Sequence, residues 1–201
     1  MRYPALSAIL RVTLVASLVA VVGCGRAPEA PRHPSAVQTN PADPWGAYIA
    51  EASARFDVPE VWIRSVMEVE SRGRTHWHGR PVVSSAGAMG LMQIMPATWE
   101  ELRKAHGLGT DPHDPRDNIL GGTAYIRQLY DWYGAPGFLA AYNAGPGRYL
   151  QFVRDGRPLP RETQTYMSIL APQIADAAPA KRGEMTLLRR YGLIQTVAVA
   201  R

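Results

Sequence analysis

Residues 60–73 read EVWIRSVMEVESRG. Trp62, Ile63, Val66, Met67 and Val69 recur here at spacings of three and four, the period of a helix with one apolar face. Asp57-Val58-Pro59 precedes the stretch and suits the end of one helix and the start of the next, and Gly73 closes it. Glu70 is the residue out of keeping with the pattern. It lies four after Val66, three after Met67 and seven after Ile63, so it extends the apolar stripe. A carboxylate on an apolar face is disfavoured as an anion, so its pKa is expected to rise. A raised pKa is what a general acid working near neutral pH needs. The alternative is a Glu at a packing edge that reaches solvent, as most helical Glu side chains do.

Outward from this helix the same period continues. Asp43-Pro44 reads as an N-cap with Pro in the first turn of a helix through Ile49, Ser53 and Phe56. Pro96 opens a third helix, 97–105, stopped by Gly107. Asp117 is placed to cap a fourth over 118–133, with Tyr125, Leu129 and Trp132 on one face and Gly134 as its stop. Residues 138–142 and 149–153 read as short apolar turns between glycines, and 162–174 as the last core helix. No stretch alternates over enough residues for a sheet; only Val82-Val83 fits a small hairpin arm, near 76–84. The expected fold class is mainly α.

The chain has 201 residues, enough for one domain with extensions, and its 46% hydrophobic content excludes wholesale disorder. A single Cys excludes an internal disulfide framework and a multi-cysteine zinc site. The formal charge is +5, yet residues 43–171 carry 13 basic and 14 acidic side chains. The compact part is electrically near neutral, which argues against nucleic acid as a partner. The basic excess lies in the flanks, where a membrane surface explains it more simply.

Residues 1–23 read as an address. Arg2 and Arg11 precede an apolar run over 12–22 that is too short to span a bilayer and suits a signal-peptide core. The run ends in Val21-Val22-Gly23-Cys24, which resembles a bacterial lipobox. The resemblance implies cleavage before Cys24, acylation of that cysteine and, with Gly25 following, the periplasmic face of the outer membrane. An ordinary signal peptide with an incidental cysteine is the alternative. Residues 25–44, GRAPEAPRHPSAVQTNPADP, contain five prolines and little apolar content, the composition of an extended tether. Residues 175–201 are Ala/Arg-rich and weakly patterned, consistent with a loose helix or disorder. The expected division is 1–23 signal peptide, 24–43 lipidated Cys and tether, 44–174 folded domain and 175–201 extension.

Two further segments carry candidate chemistry. Residues 84–96, SSAGAMGLMQIMP, combine glycines for close backbone approach, adaptable methionines, and Gln93, which can donate and accept. Residues 141–147, AYNAGPG, place Tyr142 and Asn143 before a Gly-Pro-Gly turn, and a Tyr offers a stacking face for a sugar ring. Each segment alone also reads as ordinary core or a helix end. In this order they resemble the lytic transglycosylase family, the SLT-type domain related to goose-type lysozyme. The matching pieces are Glu70-Ser71, GAMGLMQIMPATW at 87–99, Asp114-Pro115 with Asn118-Ile119, AYNAGPG at 141–147 and LPRETQTYM at 159–167. The resemblance covers about residues 44–172 and implies a lysozyme-like helical domain with a substrate groove.

The resemblance implies that Glu70 is the catalytic acid and base. It implies that Ser84 helps hold a sugar acetamido group, that Met92 and Gln93 line the cleft, and that Tyr142 and Asn143 stand beside the catalytic carboxylate. Glu162 and Tyr166 would close the far wall. The implied substrate is the glycan strand of peptidoglycan, with no cofactor and no metal, and with cell-envelope machinery as a further class of partner. Most glycosidases use two carboxylates. Here the groove segments offer Glu70 and Glu162, the second in a structural role, so the 2-acetamido group of the substrate would supply the missing function and a 1,6-anhydro product would form. A hydrolytic muramidase using the same Glu70, and a non-catalytic peptidoglycan-binding lipoprotein, remain as alternatives.

One departure stands out. Glu70 and Gly87 are 17 positions apart, a longer interval than the family usually has, with RTHWHGRPVV between them. An enlarged loop at the groove's rim is expected. His76 and His78 there, with His106 or His113, invite a metal reading, but no Cys or organised carboxylate shell accompanies them. A rim that contacts glycan through Trp77 and a plain solvated loop are the other readings.

Overall fold

The structure is a computed structural model and describes residues 40–179. The readings of residues 1–39, Cys24 among them, and of 180–201 lie outside the described residues. Within them the chain forms α1 (Gly46–Phe56), α2 (Glu60–Ser71), β1 (His76–Trp77), β2 (Arg80–Pro81), α3 (Pro96–His106), α4 (Pro115–Tyr133), α5 (Gly137–Ala144), α6 (Pro146–Asp155) and α7 (Arg161–Ile174). The fold is mainly helical, as the periodicity leads one to expect. None of these helices is long and apolar enough to cross a membrane.

The fold is built around α4. Asn118 to Ala124 are buried without a break, so this helix is covered on every side, not on one stripe. α1, α3 and α5 pack on it, and α7 packs on α5 and α2. Two glycines make that density attainable. A Cβ on Gly122 would meet Met92 Cγ at 2.6 Å, and one on Gly121 would meet Trp99 at 3.2 Å. The second organiser is Trp62 of α2. Its ring stacks on Phe138 of α5 at 4.7 Å, meets Tyr130 of α4 edge-on at 5.1 Å, and donates its N–H to the Ile174 carbonyl of α7 at 3.1 Å. One buried aromatic thus joins four helices, and its indole nitrogen is satisfied at the end of the last.

Several boundaries differ from the sequence reading, each for a local reason. α1 begins at Gly46 with Trp45, not Asp43, at its N-cap position, and both oxygens of Asp43 accept from Arg64 of α2, at 3.0 and 2.9 Å. α4 begins a turn early, because Asp114, not Asp117, is the cap, accepting the Asp117 N–H at 2.8 Å. Asp117 instead accepts the Gly109 N–H at 2.6 Å. The two apolar turns are full helices, α5 and α6, and α6 has no buried residue. Val69 is 37% exposed and lies off the core stripe that Trp62, Ile63, Val66 and Met67 form. The hairpin exists, but its strands are 76–77 and 80–81, paired His76 to Pro81 and Trp77 to Arg80, with Val82-Val83 just beyond.

Candidate active site

Glu70 occupies the last turn of α2. Arg72, two residues on, is in the left-handed region at φ 57°, its N–H bonded to the Glu68 carbonyl at 3.0 Å, so the chain leaves the helix axis directly after Ser71. Trp45 fixes that departure by donating its indole N–H to the Gly73 carbonyl at 2.9 Å. The carboxylate is therefore half-buried at a helix end, on the face that Ile63, Val66 and Met67 bury. Burial pushes its pKa up to about 7, against the opposing pull of the Tyr166 hydroxyl and with help from the negative charge of Glu162.

Two tyrosines flank this carboxyl. Tyr166 of α7 is buried, and its hydroxyl faces Glu70 closely enough to favour the ionised form while falling outside full hydrogen-bonding geometry. Tyr142 of α5 donates its hydroxyl to the Met92 carbonyl at 2.7 Å. Both phenols are held well above their ordinary pKa, first by burial and then by the charge of Glu70. Both therefore stay neutral donors while Glu70 changes state. Glu162 is exposed on α7, one turn before Tyr166, and acts on Glu70 through its charge.

The segment 89–94 is a closed turn. Met89 and Ile94 exchange backbone hydrogen bonds at 3.0 Å each way. Gly90 at φ 75° and Gln93 at φ 48° make the reversal. A Cβ on Gly90 would come within 2.9 Å of the Pro112 carbonyl, so glycine is required there for space as well as for φ. Asn118 of α4, wholly buried, stitches the turn from below. Its Oδ1 accepts the Met92 N–H at 2.7 Å, and its Nδ2 donates to the carbonyls of Pro112 at 2.7 Å and Met89 at 3.1 Å. Tyr142 holds the same turn from above through Met92.

This arrangement corrects one site residue. Met92 is 0% exposed and packs against Gly122, so its side chain belongs to the core and lines no cleft. Met95, three residues on and 44% exposed, faces the open side. It lines a cavity of about 310 Å³ with Gln93, Thr98, Tyr125, Tyr142, Asn143 and Pro146, among others. Gln93 donates Nε2 to the Gly90 carbonyl at 2.7 Å, and Asn143 accepts the Thr163 hydroxyl at 2.7 Å. Each amide thereby keeps its other half for a ligand. Tyr142 joins the two halves of the site, with its hydroxyl under the influence of Glu70 and its ring on the cavity.

Ser84 sits apart from that lining. Its Oγ accepts the Ala88 N–H at 3.0 Å and closes the turn that leads into Gly87, with its hydroxyl proton left to donate. Thr163 and Tyr125 were not singled out from sequence as site residues. Thr163 orients Asn143, and Tyr125 packs against Tyr142 at 5.4 Å, its phenol pushed up to about 12 by burial and Glu101. Their place in core-facing helical periods hid them. Among the described residues no three His, Cys, Asp or Glu side chains group as metal ligands.

Residues 47–161 match the family model described as Transglycosylase SLT domain. The chain is 39% identical over 103 residues to a transglycosylase of Enterobacteria phage PRD1, covering 50% of this chain and 35% of that one. It is 30% identical over 118 residues to membrane-bound lytic murein transglycosylase C of Mannheimia succiniciproducens, covering 51% and 32%. Its fold superimposes on the crystal structure of the 70 kDa soluble lytic transglycosylase of Escherichia coli with a TM-score of 0.54 at 29% identity, over 64% of this chain and 23% of that one. The match thus spans between 13% and 43% of the length of the curated relatives. The family match runs from the second residue of α1 to the first residue of α7, more than half of the chain, and on that ground this protein belongs to the Transglycosylase SLT domain family.

Proposed function

We propose that this protein is a peptidoglycan lytic transglycosylase that cleaves the β-1,4 bond between N-acetylmuramic acid and N-acetylglucosamine without water. The observation that carries this reading is Glu70, a half-buried carboxyl whose pKa of about 7 lets it hold a proton and release it at neutral pH. The 1,6-anhydro route is favoured by the scarcity of carboxylates, since the other acid of the site, Glu162, is exposed and influences Glu70 at a distance.

Protonated Glu70 donates to the glycosidic oxygen as the bond from it to C1 of the muramic acid breaks. The acetamido oxygen of the same sugar bonds to C1 and gives an oxazolinium-like species, with Ser84 and Asn143 as its orienting partners. Glu70, now a carboxylate, takes the proton of the C6 hydroxyl, whose oxygen displaces the acetamido oxygen at C1. The 1,6-anhydro ring closes, Glu70 is protonated again, and no water is consumed. Gln93, Met95 and the Tyr142 ring would hold the sugars, and Tyr166 would steady the carboxylate form.

We further propose that residues 44–174 form the catalytic domain and that Cys24, lipidated after removal of 1–23, anchors it to the outer membrane through the tether 24–43. The name of the membrane-bound Mannheimia relative is compatible with such a placement. The test is mass spectrometry of muropeptides released from purified sacculi by the chain and by Glu70→Gln. Products lighter by one water than reducing-end muropeptides, absent with the variant, are expected. Reducing-end products would make it a hydrolytic muramidase. Sacculus binding without release by either protein would make it a binding lipoprotein. For the anchor, Cys24→Ser should abolish incorporation of labelled palmitate.

A further inference from the structure

The arm 74–83 and the residues beside it are not used by the chemistry at Glu70, yet they border an open cavity. It measures about 580 Å³ and is lined by Trp77, Arg80, Pro81, Val82, Val83 and His113. The arm does not exist to fill the core, since Trp77 is 55% exposed and Val83 51%. It is nevertheless ordered by specific contacts. The Val82 N–H bonds to the Thr75 carbonyl at 3.0 Å, Arg74 lies over the Trp77 ring at 4.5 Å, and the His78 ring meets Trp77 edge-on at 4.8 Å, while the indole stays 55% exposed. The Gly90 N–H bonds to the Val82 carbonyl at 3.0 Å and ties the arm to the turn that carries Gln93.

The electrostatics of the arm are one-sided. Between Glu70 and Glu100 the sequence contains Arg72, Arg74 and Arg80 and no Asp or Glu. Arg80 has no ion-pair partner among the described residues, a state it shares with several other exposed arginines, and it is the one arginine that lines this cavity. Across the cavity, His113 has a buried Nδ1 with no hydrogen-bond partner. The neutral oxygens of a sugar can accept from a guanidinium but leave its charge uncompensated. A carboxylate does, because the planar fork of an Arg matches its two oxygens. An apolar wall of Pro81, Val82 and Val83 with the exposed Trp77 indole suits the short aliphatic side chains of a peptide.

We propose that the hairpin arm is a second binding site, distinct from the cleavage site, that takes the acidic peptide borne by the glycan strand, with Arg80 on a peptide carboxylate and Trp77 against its aliphatic portion. This rests on peptidoglycan being the substrate. The ligand would present its peptide to the arm while the glycan lies along Gln93, Met95 and Tyr142, and the Val82–Gly90 bond keeps the two sites in register.

The test is equilibrium binding by calorimetry with the full chain in detergent. It uses the Glu70→Gln background so that the ligand is not consumed, and compares soluble glycan strands that carry peptides with strands stripped of them by an amidase, the lactyl carboxylates so uncovered being capped as methylamides. Peptide-bearing strands should bind about tenfold more tightly, the discrimination expected of one charge-assisted contact. Arg80→Glu should erase the difference and leave the affinity for stripped strands unchanged; Arg80 is exposed and unpaired, so the fold is not at stake. Equal affinity for both kinds of strand overturns the proposal. So does an equal loss on both with Arg80→Glu or Trp77→Ala, which would make the arm a sugar contact. The muropeptide assay above is a separate readout: failure to release anhydro products removes the lyase reading without touching this comparison.

Discussion

Replacing Glu70 by Gln should stabilise the protein, and only above acid pH. The pKa of Glu70 is about 7 in the folded protein against an ordinary 4.5. Below 4.5 the carboxyl is protonated whether the chain is folded or not, and folding gains nothing from the exchange. Between 4.5 and 7 the unfolded chain ionises while the folded one keeps its proton, so stability falls as pH rises. Above 7 the folded carboxylate is charged as well and the whole cost is present. The rise in pKa corresponds to a ceiling of about 3 kcal/mol. Glu70 is half-buried, and the part of its field that reaches solvent reduces this to about 2 kcal/mol. Gln has nearly the same shape and cannot ionise, so it escapes the cost. With a urea dependence of about 2 kcal/mol per molar, the unfolding midpoint should rise by about 1 M at pH 8 and stay put at pH 4.5. Equal midpoints for the two proteins at pH 8 would refute the claim that ionised Glu70 is costly. An equal gain at both pH values would trace the effect to packing instead of charge.

The pH profile of anhydro-product release should fall on its alkaline side near pH 7, where Glu70 loses its proton. Glu162→Gln removes the like charge and should move that fall to lower pH, while Tyr166→Phe removes the group that favours the carboxylate and should move it higher; shifts in the same direction would contradict the assignment. Asn118→Ala deletes three hydrogen bonds and strands the buried Met92 N–H, which should cost about 3 kcal/mol or more in urea unfolding. Its turnover, measured well below the new unfolding midpoint, should fall too, because Gln93 and Tyr142 both lean on the turn it holds. Gly122→Ala forces a Cβ against Met92 and should cost about 1–3 kcal/mol by overpacking, detectable as a lowered thermal midpoint with unchanged secondary structure.

The helices were legible in the sequence because their signal is periodic. α2 and α3 fall where spacing, Pro and Gly place them, and Glu70 stands out because it breaks a stripe. What failed to show has a different origin. A cap is chosen by tertiary partners: Asp43, expected at the N-cap of α1, is held by Arg64, and Asp114 took the role expected of Asp117. Met92 and Met95 look interchangeable in GLMQIMP, since a tight turn has no period from which to read side-chain direction. Only the turn itself, pinned by Asn118 and reversed at Gln93, sends Met92 inward and Met95 outward. α4 misled for the opposite reason. A helix buried on all sides has no polar face, so Tyr125 and the two adjacent glycines gave no sign that one borders a cavity and the others seat a loop.

If Glu70 has the role proposed for it, the same physical fact governs its stability cost and its chemistry. Burial that makes the carboxylate costly is what keeps a proton on it at neutral pH, and Tyr142 and Tyr166, raised well above their ordinary pKa, cannot release theirs in its place. A substitution that relieves the cost by hydration would lower the pKa and remove the acid. One that relieves it by neutrality, such as Gln, removes the acid outright. No change confined to position 70 can therefore stabilise the fold at pH 8 and preserve proton transfer. Compensation has to come from elsewhere, and the Asn118 network, which fixes Met92 and through it Tyr142, is where the fold supplies rigidity without altering the charge on Glu70.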